Sequence, residues 1–355
     1  MSFVTGEKFK ISIFGQSHSE KMGVVIDNLP SGFKIDEDKL AEFMARRAPG
    51  RDAFSTTRKE GDKVNFVSGI TDGKTNGAPL CAIIENANTR SGDYENLKDI
   101  PRPGHADFAA WSKFGNSRDV SGGGQFSGRL TAPLCIAGGI FKQLLEDKGI
   151  YIGAHIASVG KIKDDLFDSV NVSEKDFVGN KAFPVINDQK GEEMKKEILD
   201  AKNDADSIGG SVECAITGIG AGVGNTFFGG WESVISSKIF AIPAVKGIEF
   251  GRGFDASELR GSENNDAFII KDGKIVTETN NHGGILGGIS SGMPIIFRVA
   301  FKPTPSIGKE QRSVSLSKME NTTLVIHGRH DPCIVQRAAV CVEAAAAVAV
   351  ADMLL

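Results

Sequence analysis

The sequence predicts an α+β fold in a single domain spanning residues 1–355. Three observations point there. Amphipathic helical stretches and alternating strand stretches are mixed along the chain without the strict strand–helix–strand cadence of a doubly wound parallel sheet. No linker, low-complexity tract or fixed-period repeat divides the chain, apart from the alanine run Ala344–Ala347. Hydrophobic content of 40% and charged content of 24% suit a globular protein with a sizeable core.

Taken in order, Lys8-Phe9-Lys10-Ile11-Ser12-Ile13-Phe14-Gly15 alternates, placing Phe9, Ile11 and Ile13 on one face of a strand that stops at Gly15. Val24–Asn28 reads as a second strand ended by the Pro30–Gly32 turn. Asp36–Arg47 reads as a helix, with Leu40, Phe43 and Met44 at i, i+3 and i+4 and a stop at Pro49-Gly50. Strands are expected at Lys63–Gly69 and Leu80–Glu85, and a helix over Leu130–Leu145 that packs closely through Gly138 and Gly139. Glu and Lys density makes Asp188–Asn203 a solvent-facing helix. Strands follow around Val212, Cys214 and Ile216, at Phe268–Ile270 and at Ile295–Phe301. The last element, Ile334–Met353, is an alanine-rich helix of high intrinsic propensity. Glu343 and Asp352 interrupt its apolar character, so it reads as a buried or subunit-interface helix and not as a membrane span.

Composition narrows the function. A net charge of −4 argues against a nucleic-acid partner. The five cysteines are scattered, form no CxxC and sit in apolar runs, so they read as buried free thiols in a reducing compartment. Residues 1–10 lack the apolar core of a signal peptide, which makes the cytoplasm the expected location. Glycine, at 43 residues, is well above the ~7% of average usage. The glycines cluster where backbone would approach a ligand or another strand.

Five segments hold residues that a core does not call for. Ser17-His18 follows the first strand and could aim donors at an anion, or be a loop pair with no role. Arg46, Arg47, Arg51 and Arg58 gather at a helix end and the loop after it; the guanidinium fork suits phosphate and carboxylate. Arg46 and Arg47 are alternatively explained as partners of the helix C-terminal dipole. In Arg102-Pro103-Gly104-His105-Ala106-Asp107, the Pro-Gly turn presents Arg102 and His105 together, with Asp107 near enough to orient the imidazole. Ser121–Arg129 is a glycine-rich loop leading into a helix, a place where backbone N–H groups hold phosphate. It lacks the Gly-Lys-Ser/Thr ending of a P-loop. Gly251-Arg252-Gly253 resembles part of a dinucleotide fingerprint but is followed by Gly261, Asn264 and Asn265, read as no helix, so it is rejected. The fifth segment has two parts, Asn281–Ser306 and Gly328–Cys333. His327-x-x-His330-Asp331 has the look of a metal set, but Pro332 denies it the helix that would align the ligands.

In order along the chain, GQSH (15–18), RPGHAD (102–107), GGGQFSGR (122–129), NHGGILGGISSG (281–292), KPTPS (302–306) and GRHDPC (328–333) resemble the chorismate synthase family. The resemblance covers essentially the whole chain. It implies a β-α-β sandwich assembled as a homotetramer in the cytoplasm. It implies conversion of 5-enolpyruvylshikimate-3-phosphate to chorismate by anti 1,4-elimination of phosphate and the C6 hydrogen, using reduced FMN without net redox change. Arg47, Arg102, Arg129 and Arg329 match the family's anion-binding arginines, and Arg47 also its NADP contact. His18, beside Ser17, matches the proton donor to the departing phosphate. His105 matches the histidine near the flavin pyrimidine, and Asp331 the carboxylate that takes the proton flavin N5 receives from C6. The family's flavin contacts fall on Gln125, Phe126, Ser127, Gly287, Lys302, Pro303, Thr304, Pro305, Ser306 and Arg329.

Some positions depart from the family pattern. Gln16 and Ser19 stand where Glu and Gly are common, Gln125-Phe126 where Arg-Ser is common, and Ala53 where an arginine is usual. The chain also stops soon after the last helix, where many members continue. The resemblance leaves open whether the chain reduces its own flavin with NADPH or relies on a separate flavin reductase. Two other classes remain: a flavin-dependent oxidoreductase, against which the missing nicotinamide fingerprint counts, and a non-catalytic anion-binding paralogue.

Overall fold

The computed structural model describes residues 3–50, 61–86, 97–326 and 331–355. Two five-stranded antiparallel sheets flank a layer of helices. In the first sheet the spatial order is Val4–Thr5, Ile11–Phe14, Lys21–Ile26, Leu80–Glu85, Asn65–Ser68. In the second it is Val245–Phe250, Ile295–Phe301, Gly210–Thr217, Tyr151–Val159, Ile162–Lys163. The helices are α1 (Glu37–Arg47), α2 (Asp107–Phe114), α3 (Thr131–Glu146), α4 (Asp188–Asn203), α5 (Trp231–Ile239), α6 (Gly261–Asn264) and α7 (Val335–Leu354). This is the α+β class that the sequence pattern predicts and the sandwich that the resemblance implies.

The middle layer is α1, α3 and α7. Helix α7 carries alanine and valine all round and is buried over nearly its whole length, as a helix between two sheets must be. Small side chains let α3 approach it: a Cβ on Gly138 would collide with Ala344, and one on Gly139 would meet Leu40 and Phe43 of α1. The two acids of α7 are both satisfied. Glu343 accepts from Arg46 at 2.5 and 3.0 Å and from Lys142 at 2.7 Å. Asp352 Oδ1 accepts the backbone N–H groups of Glu7 and Lys8, both at 2.8 Å, pinning the N-terminal segment to the last turn. Among the described residues no helix is long and apolar enough to cross a membrane.

Several expectations need correction. The strand expected over Lys8–Gly15 is Ile11–Phe14, with Phe9 buried just outside it, and a short strand, Val4–Thr5, precedes it. Helix α4 is not wholly solvent-facing, since Gly191, Met194 and Ile198 are buried. After Gly251, Gly253–Glu258 form a 3-10 segment and Gly261–Asn264 one short α turn, so the region is partly helical, although too short for a dinucleotide site. Cys81 is half-buried, while Cys135, Cys214, Cys333 and Cys341 are buried; all five are free thiols. Tyr151–Val159, a nine-residue interior strand of the second sheet, is absent from the expectations. Its Gly153 and His155 break the apolar run by which a buried strand is recognised.

Candidate active site

Sharp turns place the functional side chains. The chain leaves the Ile11–Phe14 strand through Gly15 at φ 102° and folds Ser17 inward, 2% exposed. The His18 Nδ1 lies 3.2 Å from Ser17 Oγ. Ser17 N–H donates to the Gly124 carbonyl at 3.2 Å, which fastens this loop to the glycine-rich one. Gly122, Gly123 and Gly124 all have positive φ, at 61°, 100° and 52°. They are glycines for want of room as well. A Cβ on Gly122 would drive into the His18 ring and Ser17 Oγ; one on Gly123 would come within 3.3 Å of the His105 ring. The glycine turn therefore separates His18 from His105 with bare backbone. Its link to α3 differs from the expectation. Ser121–Phe126 is a kinked turn with non-helical backbone at its three glycines, and Ser127–Leu130 stands between it and the helix, so the loop does not lie on the α3 N-terminus.

The Pro103-Gly104 turn does what the sequence predicts. Arg102 Nε and Nη2 donate to the two oxygens of Asp107 at 2.7 and 2.8 Å, and His105 Nδ1 lies 2.6 Å from Asp107 Oδ1. Burial alone would raise the Asp107 carboxyl, but the hydrogen bonds from Arg102 and His105 outweigh it and hold the group well below the usual carboxylate range. Arg102 Nη1 also reaches Ser306 Oγ at 3.3 Å, and Lys302 Nζ donates to the Gly104 carbonyl at 3.0 Å. The Lys302–Ser306 run thus docks on the Arg102–His105 turn. Burial, and then the charge of Lys246, lowers the Lys302 ammonium. Thr304 Oγ1 is buried with no hydrogen-bond partner among the described residues.

Arg47 and Arg129 share one carboxylate. Arg47 Nε donates to Asp62 Oδ2 at 2.9 Å, and Arg129 Nη1 pairs with Asp62 Oδ1. Arg129 Nε donates to Asn86 Oδ1 at 3.2 Å, and Asn86 Nδ2 donates to the Ser19 carbonyl at 2.7 Å. Neither Asp62 nor Asn86 carries a motif, and the sequence reading missed both. The only signal for Asp62 was an acid beside an arginine-rich loop. Arg46 does more than complement the α1 dipole, because it turns the other way, onto Glu343.

Asp331 is not the cap of the last helix. Ile334 occupies the N-cap of α7, and Asp331 Oδ2 instead accepts from Arg337 Nη1 at 2.5 Å. Arg337 Nε donates to the Arg47 carbonyl at 2.8 Å, which ties Asp331 to the end of α1. Gln125, Phe126 and Ser127 are half-buried in and just after the glycine turn. Gly287 stands apart from this cluster's bonds, in the connection between Ile285–Leu286 and Ile289–Ser291, with nothing within 4 Å of its Cβ position. Arg329, His327, His330, Arg51, Ala53 and Arg58 lie outside the described residues.

Two cavities flank these elements. One of about 360 Å³ is lined by Pro101–His105, Phe108 and Arg312–Val314, and so opens on the Arg102–His105 turn. A larger one, about 800 Å³, lies by Arg46, Lys142 and Glu343, away from Ser17, His18 and the glycine turn.

Residues 9–355 match the family model described as chorismate synthase. The chain is 46% identical to the chorismate synthase of Lancefieldella parvula over 100% of this chain and 96% of that protein. Against the chorismate synthase of Thermococcus kodakarensis the identity is 43%, over 99% and 97%. A crystal structure of chorismate synthase superposes with a TM-score of 0.76 at 25% identity, covering 99% of this chain and 93% of that one. The converging motifs and the full-length similarity have one reading: this chain is an enzyme of the chorismate synthase family.

Proposed function

We propose that the enzyme releases phosphate from 5-enolpyruvylshikimate-3-phosphate to give chorismate by anti 1,4-elimination, with reduced FMN bound beside the substrate. The observation that carries this is the glycine turn 122–124 held between Ser17-His18 and Arg102-His105, which brings three separated motifs to one surface.

The residues present fit a flavin nucleotide. Gly122 and Gly123 form a cradle that any side chain would fill, and Thr304 offers a buried hydroxyl among the Lys302, Pro303, Pro305 and Ser306 backbone. Lys302, destabilised as a cation by burial and by Lys246, would be relieved by an anionic group. Gln125, Phe126, Ser127 and Gly287 complete the contacts, with Arg329 as a further contact. When bound, reduced flavin supplies an electron-rich ring that assists departure of the allylic phosphate and is regenerated.

The chain's own groups do the rest. His18 donates a proton to the leaving phosphate oxygen, with Ser17 setting its ring. Asp107 orients the His105 imidazole, which would stand by the flavin pyrimidine. The Asp331 carboxylate accepts the proton that originates at C6, oriented by Arg337. Arg47, Arg102 and Arg129 meet the phosphate and carboxylates of the substrate, joined by Arg329. Arg47 is also the contact for NADPH where the chain reduces its own flavin.

The assembly we propose is a homotetramer in the cytoplasm. Phe227, Phe228, Phe254, Ile270 and Ile275 are each more than 70% exposed, an apolar surface that association would cover. Five free thiols fit a reducing compartment.

Anaerobic assays with pre-reduced FMN, beside oxidised FMN with NADPH, test the reading. Phosphate release with reduced FMN alone is expected. Equal rates with oxidised flavin and no reductant would sink it, and NADPH consumed stoichiometrically with product would point to an oxidoreductase. Activity with oxidised FMN plus NADPH would show that no separate flavin reductase is needed.

A further inference from the structure

Asp62 belongs to no motif, yet its side chain is fully buried and touches two of the arginines assigned to the substrate. Its backbone sits at φ 42°, in the left-handed region that aspartate tolerates better than most residues. Oδ2 accepts from Arg47 Nε at 2.9 Å and lies 2.8 Å from Arg47 Nη2, so one carboxylate oxygen is ion-paired with one edge of the guanidinium. Oδ1 is paired with Arg129 Nη1. Arg47 and Arg129 are themselves 1% and 6% exposed. Two guanidiniums this deeply buried repel each other and are costly to desolvate unless a carboxylate lies between them. Among the described residues Arg47 Nη1 also donates to Thr131 Oγ1 at 3.4 Å, and Arg129 Nε to Asn86 Oδ1 at 3.2 Å. Asn86 also holds the Ser19 carbonyl at 2.7 Å, at the end of the loop that carries His18.

We propose that Asp62 is the positioning residue of the anion receptor. It clamps Arg47 and Arg129 side by side and, through Arg129 and Asn86, sets the loop that carries Ser17 and His18. This rests on the reading that Arg47 and Arg129 bind an anionic group of the substrate.

The test measures inorganic phosphate affinity by calorimetry, and KM and kcat for the substrate, in Asp62→Asn, Asp62→Glu and Asn86→Ala. Asp62→Asn should weaken phosphate binding about 30-fold or more, the lower bound for truncating one partner of a buried charge pair. KM should rise by more than kcat falls, and Asp62→Glu should recover part of the loss. Asn86→Ala should act in the same direction more weakly, and the double variant should fall short of the product of the two. Unchanged or tighter phosphate binding in a folded Asp62→Asn protein would overturn the proposal, because Asp62 would then be a competitor of the ligand. Should Asp62→Asn not fold, an unchanged KM and phosphate affinity in Asn86→Ala would overturn it equally. A wild-type chain that binds phosphate without turning over the substrate would defeat the lyase reading, while the phosphate arm still decides the role of Asp62.

Discussion

The Arg102–His105–Asp107 group and the His155–Asp164–Glu213 group each pair a histidine with carboxylates inside the protein. The first contact is 2.6 Å; in the second, His155 lies 3.3 Å from Asp164 and 3.0 Å from Glu213. In the second group every partner is a structural one. His155 is fully buried beneath the Phe167 ring, Asp164 accepts Ile186 N–H and Asn187 N–H, and Glu213 accepts Phe167 N–H. The network staples the loop between residues 164 and 187 onto the second sheet. In the first group Arg102 and His105 stand on a loop and Asp107 opens α2, and the His105 ring faces the backbone of Gly123, which carries no side chain. Burial and charge pairing are common to both. What separates them is whether the pairing closes on the protein's own backbone or leaves one face toward a glycine-built gap.

The comparison breaks most plainly at the chemistry. His18→Ala and Asp331→Asn should each lower turnover ~10²–10⁴-fold, the usual worth of general acid–base assistance, while ligand affinity and folding stay near wild type. The two should differ in pH profile if, as proposed, His18 is the acid and Asp331 the base. Wild-type kcat in a stable, ligand-binding Asp331→Asn protein would leave Asp331 only its bond to Arg337.

The structural kind of network should fail in the opposite way. Glu343→Gln removes the counter-ion of Arg46 and Lys142 and should cost about 3–5 kcal/mol in denaturant unfolding. KM of the protein that remains folded should be unaffected. Burial alone would raise the Glu343 carboxyl, but the charges of Arg46 and Lys142 bring it down to about 2. A depressed carboxylate stabilises the fold above its unfolded value of 4.5 and loses that contribution as pH falls toward 2. Acid unfolding of wild type in that window should flatten in Glu343→Gln.

Gly122→Ala tests the gap itself. Displacing His18 by about 1 Å should cost ~10²-fold in turnover. Gly149→Ala has a similar positive φ but open space around its Cβ position, so it should show only a small stability loss. Equal kinetics in the two variants would mean that the cradle is not used.

The smallest effect concerns His155. Burial would lower its imidazole, yet hydrogen bonds and charge from Asp164 and Glu213 outweigh burial and raise it. A raised histidine contributes stability that is fully present below its unfolded value of 6.5 and is lost as pH rises through the folded value. The loss is about 1.4 kcal/mol for each unit between the two values. Thermal melts of wild type should therefore decline from pH 6.5 upward more steeply than those of His155→Gln.

Much of this was legible because it is local. Helix α1 announces itself through 3.6-residue periodicity, α4 through Glu and Lys density and α7 through alanine-rich propensity, and Leu80–Glu85 and Ile295–Phe301 read as strands, each within a short stretch of chain. Ser17-His18, Arg102–Asp107 and Lys302–Ser306 stood out because glycine or proline beside ionisable residues is a local cost that a core does not ask for. Tertiary structure alone decided which of these charges meet. Asp62 and Asn86 sit 67 and 43 residues from Arg129, and Glu343 sits 297 residues from Arg46, distances over which no periodicity carries information. It also decided that Arg46 and Arg47, neighbours in sequence, part company, one to a structural carboxylate and the other to the candidate site. A charge's partner is set by which elements the core packs together, because burial forces every charge to find the nearest opposite one in space.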